Sequence, residues 1–345
     1  MNKIYLLLAV FLLVTNIATA QKKKYDAKNT MTVAFYNIEN LFDTIDSPNV
    51  KDEEFTPQSP KKWNTERYNK KLIDLAFVLK QTNPEEYPEI IGLAEVENKR
   101  VVEDLINKTS LKYGNYGIIH RDSKDSRGID VAFIYRKQEF KVLSDRGIKV
   151  IDEDNPDNEL RDILYIKGLV SKTDTFHVFV NHWKSRNGGQ EKTEPKRIGA
   201  AKILRATLDS ILTKNKNANI VIIGDFNDEP ENKSINEVLF ATNNKTNPTD
   251  LELYNLMYDK SVKDLGTNYY KGKAFMLDNL IISKKLATST TGWHESEDGG
   301  NMFISKFNMY KNEKTGEESP NRTYGGDNYY GGVSDHYPVY FKLVK

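Results

Sequence analysis

The sequence has no cysteine among its 345 residues. That excludes disulfides, thiolate metal sites, cysteine nucleophiles and a lipidated N-terminal cysteine. Histidine is scarce, at five residues. A zinc centre would want more imidazoles, so the place of each one matters. Charge of one sign is lacking too: 50 Lys and Arg against 49 Asp and Glu leave a net +1. Any positive field for nucleic acid must therefore be local. Beyond the N-terminus no apolar run approaches the length of a membrane span. Internal repeats and a convincing interdomain linker are absent as well.

What is present is a soluble, globular composition, 38% hydrophobic and 29% charged, with enough chain for a substantial core. Residues 1–20 read as an export signal. Lys3 supplies a positive start, Ile4 to Val14 an apolar run too short for a confident span, and Ala18-Thr19-Ala20 a cleavage site before Gln21. An exported product, periplasmic or secreted, is expected, with residues 21–345 as one domain. An exported chain without disulfides must draw its stability from core size or bound ions.

The segment Asn219–Asp228 (NIVIIGDFND) organises the reading. Ile220 to Ile223 form a short β-branched run suited to a strand buried on both faces. Gly224 breaks the pattern, and Asp225, Asn227 and Asp228 follow at once. Further strands are expected at Met31–Tyr36, Glu89–Ala94, Ile129–Tyr135, Leu164–Val170, Thr175–Val180, Phe275–Ile282 and Tyr337–Leu343. Helices are expected at Thr65–Lys80, Val101–Asn107 and Pro195–Leu212. Trp293–Gly332, rich in Gly, Asn and Tyr, reads as a long loop. Strands outnumber helices, and several are apolar enough to be covered on both faces. The expected class is α/β, with sheet layers and helices outside.

Six strand ends or following turns carry unusual polar residues: Asn37 and Glu39, Glu95, His182, Asp225 and Asn227, Asp278, and Asp335-His336. One such group would be a cap or a turn. Six suggest ends that converge on one pocket. Hard cations such as Mg²⁺ take oxygen ligands, usually one or two carboxylates plus substrate phosphate. Asn37, Glu95 and Asp335 meet that requirement. Phosphodiester hydrolysis also needs a base that titrates near neutrality, which an imidazole with a carboxylate partner provides. Glu97 and Asp228 read as surface or supporting groups, and Trp183, His120, His177 and His294 as structural or exposed. Tyr324, Tyr329 and Tyr330 could stack on bases or simply pack the late loop.

Seven stretches stand in an order that resembles the endonuclease/exonuclease/phosphatase superfamily. They are FYNIENLF (35–42), IIGLAEVEN (90–98), RGIDVAFIYR (127–136), FVNHWKSRNGG (179–189), IVIIGDFND (220–228), LDNLIIS (277–283) and SDHYPVYF (334–341). That superfamily includes pancreatic-type deoxyribonuclease, apurinic endonucleases, neutral sphingomyelinases and inositol polyphosphate phosphatases, and the NHWKSR form resembles exported bacterial nuclease-like members. The resemblance implies two packed mixed β-sheets flanked by helices, a four-layer α/β sandwich. It implies Asn37 and Glu95 at a metal, with Asp335 contributing and Glu39 close by. His336 would be the general base, oriented by Asp278, and Asp225 would position the water or a second ion. Asn227 and His182 would contact the scissile phosphate, His182 as an acid toward the leaving oxygen, and Arg127 a flanking phosphate.

The reading is thus an exported phosphodiesterase using Mg²⁺, with Mn²⁺ or Ca²⁺ as alternatives. A nuclease acting on DNA or RNA as a monomer, without membrane insertion, is favoured. Lys184, Arg186, Lys192, Lys196 and Arg197 supply a local basic mouth for that substrate. A lipid phosphodiesterase or phosphatase is the alternative, with Met302-Phe303-Ile304 as a small membrane wedge. A binding module without chemistry is the third reading. It would be expected to lack at least one of Glu95, Asp225, Asp278 and His336, and all four are present.

Overall fold

The computed structural model describes residues 29–345 except 49, 153–154 and 156–159. The leader expected at residues 1–20 lies outside the described residues. Two seven-stranded sheets form the centre. In the first, β1 (Thr30–Leu41) pairs in parallel with β2 (Ile90–Val96). Beyond β2 come β4 (Asp130–Arg136) and then β3 (Tyr116–His120). The second sheet runs β5 (Phe140–Ile148), β6 (Ile163–Val170), β7 (Asp174–His182), β8 (Asn219–Asp225), β13 (Asp278–Ser283), β10 (Leu253–Asn255) and β9 (Ala241–Thr242). A hairpin of β11 (Asn268–Tyr270) and β12 (Lys273–Phe275) precedes β13. The other side of β1 in the first sheet is closed by β20 (Val339–Val344), with β14 (His294–Glu295) and β15 (Asn301–Met302) along its outer edge. Two small hairpins, β16 (Met309–Lys311) with β17 (Glu318–Pro320) and β18 (Tyr324–Gly325) with β19 (Asn328–Tyr329), organise the late segment.

Alternation along each strand explains the layers. Val221 and Ile223 of β8 join Phe35, Phe133, Val178, Val180, Leu280 and Phe341 in the core between the sheets. Ile220 and Ile222 face the opposite way and pack under α3 (Gln190–Lys214), against Ala201, Leu204 and Leu208. Tyr36, Ile91, Leu93 and Ile134 cover the outer face of the first sheet, under α1 (Thr65–Gln81) and α2 (Lys99–Asn107). The result is the helix–sheet–sheet–helix sandwich, with the IVII run buried on both faces. Each such side chain contributes about 1.5–3 kcal/mol by leaving water.

Several local expectations shift. In the helix expected at Thr65–Lys80, apolar Ile73 is 59% exposed, and Tyr68, Leu72, Leu75 and Leu79 carry the contact. The helix expected to begin at Pro195 starts at Gln190, with Pro195 inside it. The strand expected at Phe275–Ile282 splits, Phe275 ending one hairpin and Asp278 beginning the next strand. Several strands went unread, the longest being Tyr116–His120 and Phe140–Ile148, the second an edge strand in which only Phe140 is buried. The edge strand therefore lacks the apolar alternation that would announce it.

Candidate active site

Strand direction brings the polar ends together. Because β1 and β2 are parallel, Asn37 and Glu95 leave the first sheet at the same end. In the second sheet the parallel pair β7–β8 sets His182 opposite Asp225, and antiparallel β13 sets Asp278 opposite the same residue. The approach to β20 is tied to this end by Ser334, whose hydroxyl donates to the Asn37 carbonyl at 2.7 Å and accepts from His336 N–H at 3.1 Å. Asn268 adds a clamp from the β11 hairpin, its amide donating to the Asp335 carbonyl at 2.9 Å.

Gly224 is required by this convergence. A Cβ there would lie 2.4 Å from the Asn181 carbonyl oxygen and 2.6 Å from Asn181 Cβ. Four non-glycine residues at the same edge, Glu39, Asn40, Glu95 and Asn227, hold left-handed φ between 47° and 63°. Such conformations persist where surrounding bonds fix them. Here Asn40 N–H donates to Glu95, Glu39 N–H to the Asn37 side chain, and Asn227 N–H to Asp225.

His336 and Asp278 form the central pair, Nδ1 to Oδ2 at 2.6 Å. Burial alone would lower the His336 pKa, but the carboxylate of Asp278, with Asp225 and Asp335 behind it, holds the imidazole well above its ordinary value. Its other nitrogen, Nε2, faces Asp225 Oδ2 at 3.9 Å. Asp225 accepts from Asn37 Nδ2 at 2.9 Å. Burial pushes the Asp225 carboxyl up to about 7, with His336 opposing and Asp278 reinforcing the shift. His182 Nε2 approaches Asp225 at 3.6 Å and Glu95 at 3.9 Å. Burial, with the positive charges of Arg161 and Arg127, holds this imidazole well below its usual range. His182 is therefore neutral near pH 7 and suited to donating a hydrogen bond. The general-acid role expected for it would need a proton that its surroundings oppose.

The donor set fits a divalent cation. Asp225, Asp278 and His336 bring ligand atoms within 4.8 Å of one another, and beside this acidic cluster Asn37, Glu95 and Asp335 add the oxygen donors that a hard cation takes. Glu95 and Asp335 stand at the partly open rim of the same centre. Glu39 is used differently from the expectation. Its two oxygens accept the Thr323 and Tyr324 N–H groups at 2.6 and 3.3 Å. Burial pushes its carboxyl up to about 7, Asp335 adding to the shift and buried Lys71 opposing it. Lys71 Nζ donates in turn to Thr323 Oγ1 at 2.6 Å and the Val333 carbonyl at 3.2 Å. Glu39 and Lys71 thus anchor the late segment to β1, and Glu39 belongs to the support of the site rather than to its free ligands.

The expected basic mouth is mostly committed elsewhere. Arg197 is fully buried, bonding Asp228 at 2.7 Å. Arg186 donates to the Asn227 carbonyl at 2.7 Å and to Asn232 at 2.8 Å, and Lys196 pairs with Asp152 at 2.7 Å. Arg127 is exposed, its Nε 3.8 Å from Asp125. Asn227 has one amide hydrogen engaged on the Trp183 carbonyl at 3.1 Å. Glu97 and Asp228 are buried supports, Glu97 accepting from Asp43 N–H at 2.6 Å and Asp228 from Ser234 at 2.6 Å. Tyr324 packs against Trp63 and Tyr329, and Arg67 lies 4.1 Å from the Tyr329 ring centre; Tyr330 alone of the three tyrosines is open. Of the suggested wedge, Phe303 packs on the helix-side core and Ile304 is exposed.

One organising residue was missed. Arg161 donates to the carbonyls of His182 and Trp183 at 2.9 and 2.6 Å and to Asp125 Oδ2 at 2.8 Å. It lies after the polar tract 152–159 and carries no signal beyond a basic residue just before a strand. His177, read as structural, bonds Tyr165 through Nδ1 at 2.7 Å, and burial lowers its pKa to about 4.

A family model described as Endonuclease/Exonuclease/phosphatase family matches residues 32–345. No curated protein matches the chain. Among solved structures, a Bacteroides thetaiotaomicron mannosyl-6-phosphatase is similar at 16% identity and TM-score 0.56, covering 91% of this chain and 100% of that one. A humanized D. rerio TDP2 is similar at 14% identity and TM-score 0.55, with 92% and 99% covered. The human Nocturnin catalytic domain with bound sulfate is similar at 17% identity and TM-score 0.53, with 92% and 96% covered. At these identities the likeness is one of fold.

Proposed function

Since the chain belongs to the endonuclease/exonuclease/phosphatase family, whose members hydrolyse phosphoester bonds, we propose that it is a divalent-metal-dependent phosphodiesterase acting on nucleic acid outside the cytoplasm. The observation that carries the chemistry is His336. Its Nδ1 is fixed on Asp278 at 2.6 Å, and its Nε2 faces Asp225 beside Asn37 and His182. In its neutral form Nε2 accepts the proton of the attacking water, and Asp278 stabilises the imidazolium that forms. Asp225, itself held by Asn37 and Asn227, orients that water. Neutral His182 donates from Nε2 to a phosphoryl oxygen, and the second hydrogen of the Asn227 amide contributes another bond.

Asn37, Glu95 and Asp335 would hold the cation, Mg²⁺ or Mn²⁺ by their oxygen donors. When bound, the ion supplies Lewis acidity at the phosphoryl oxygens. Exposed Arg127 supports a substrate longer than one phosphodiester. A D. rerio TDP2 of the same fold has been solved with a single-strand DNA product, which favours the same substrate class here. The leader-like pattern at residues 1–20 supports export.

One observation favours a second reading. With Arg186, Lys196 and Arg197 engaged internally, Lys184, Lys192 and Arg127 are the cations left to the mouth. A small phosphoester would need fewer.

The test sets plasmid DNA, RNA, sphingomyelin, an aryl phosphodiester and a sugar phosphate before the protein, with Mg²⁺ or Mn²⁺ and with EDTA, beside His336→Ala. Metal-dependent cleavage of nucleic acid that disappears in the variant is expected. Cleavage confined to the lipid or the small esters would keep the mechanism and overturn the substrate. No turnover by folded, metal-loaded protein would overturn both.

A further inference from the structure

A second group of ligand-bearing side chains converges at the same end of the first sheet, where Asp130 lies opposite Val96, but shares no residue with the candidate active site. His120 closes β3, Asp122 follows it, and Asp130 opens β4. Antiparallel pairing sets His120 opposite Ala132, so Asp130, two residues earlier, projects from the same face as the imidazole. One ring nitrogen and one oxygen from each carboxylate all lie within 4.8 Å of one another. His120 Nδ1 stands 3.6 Å from Asp122 Oδ1. The His120 side chain is only 2% exposed, and its Nε2 is buried without a hydrogen-bond partner.

Asp130 is buried, and its Oδ1 accepts the Ser123 N–H at 3.0 Å. Two carboxylates and an imidazole this close offer three ligand atoms to one cation, with Lys99 the basic side chain whose charge reaches His120.

We propose that His120, Asp122 and Asp130 form a second divalent-cation site, structural rather than catalytic, suited to Zn²⁺ or Mn²⁺. The mixed donor set decides the class. Ca²⁺ and Mg²⁺ prefer oxygen alone, whereas an imidazole nitrogen beside carboxylates suits a borderline transition ion. Three protein ligands leave room for water to complete the shell. The position gives the site a purpose. The segment between Asp122 and Asp130 carries Asp125, which holds Arg161 at 2.8 Å, and exposed Arg127. An ion bound at both ends of that segment would fix it beside His182, whose carbonyl Arg161 also holds.

The test counts Zn²⁺ bound per chain and its affinity in the full protein, in Asp122→Asn, in His120→Gln and in His336→Ala. The Asp122 side chain is 83% exposed, so its replacement leaves folding intact. Both Asp122→Asn and His120→Gln are expected to lose one ion or bind it at least ~10-fold more weakly, since even outer-shell changes cost that much. His336→Ala should keep it. Equal stoichiometry and affinity in wild type and Asp122→Asn would overturn the site. Displacement of that ion by equimolar Ca²⁺ would overturn its assignment to a transition metal.

Discussion

Arg161→Ala is the perturbation through which the architecture of the site can be tested most directly. The guanidinium makes three bonds, to the carbonyls of His182 and Trp183 at 2.9 and 2.6 Å and to Asp125 at 2.8 Å. Its side chain is 6% exposed and that of Asp125 17%, so water screens the pair little. Hydrogen bonds to a charged group contribute about 1.5–3 kcal/mol each, but three bonds from one side chain do not add. Removing one partner of a buried ion pair costs about 3–5 kcal/mol, because the remaining charge stays desolvated. That range is the expected loss, a fall of about 4–7 °C in melting temperature for a chain this long. Arg161→Lys keeps the charge but not the planar fork, and should fall between wild type and alanine. Asp125→Asn with the double variant isolates the ionic part. The assay is urea unfolding followed by tryptophan fluorescence, with kcat and KM measured on a soluble phosphodiester. Because Arg161 acts through the main chain of His182, kcat should fall more than KM rises. A loss under about 1 kcal/mol with kcat unchanged would refute this account of the clamp.

Further outcomes follow from the same geometry. The rate should rise with pH as His336 loses its proton, and the raised pKa places that rise above the ordinary histidine range near 6.5. Asp278→Asn removes the carboxylate chiefly responsible for the raised pKa, so the rise should move to lower pH while the maximal rate falls; His336→Ala should cost about 10²–10⁴-fold in kcat. An unmoved pH profile in Asp278→Asn would disprove the coupling. The same pair predicts that the His336 contribution to stability is present below about pH 6.5 and fades as pH climbs through the raised value. Gly224→Ala forces a Cβ onto Asn181 backbone atoms at 2.4 Å, which no rotamer change relieves, so about 1–3 kcal/mol of stability should be lost in denaturant titration. Lys71→Met keeps the volume but leaves Thr323, the Val333 carbonyl and Glu39 without their buried cation. Faster proteolytic nicking within residues 321–334 is expected, and wild-type resistance would count against the anchor.

The catalytic edge was legible where an apolar run stops abruptly at a polar residue. β2 and β8 show this plainly, because burial on both faces demands unbroken hydrophobicity until the chain reaches the rim that bears Glu95 and Asp225. The edge strand Phe140–Ile148 left no such trace, since only Phe140 is buried and its pattern is that of a loop. Charge gave a different error. Arg186, Lys196 and Arg197 read as a basic mouth because composition shows a cation but not its partner. Arg186 meets Asn227 and Asn232 across 41 and 46 positions, and Lys196 meets Asp152 across the fold. Glu39 is the same case with the sign reversed, a carboxylate beside predicted ligands whose oxygens serve amides 284 and 285 residues away. Strand-borne groups are fixed by a period of two that the sequence displays. Loop-borne groups bond over long range, and a polar side chain looks the same whether it will hold a neighbouring segment or a substrate. For that reason the strand-end residues that converge could be named before the fold was seen, while the choice between nucleic acid and a small phosphoester rests on which cations the folded mouth leaves free.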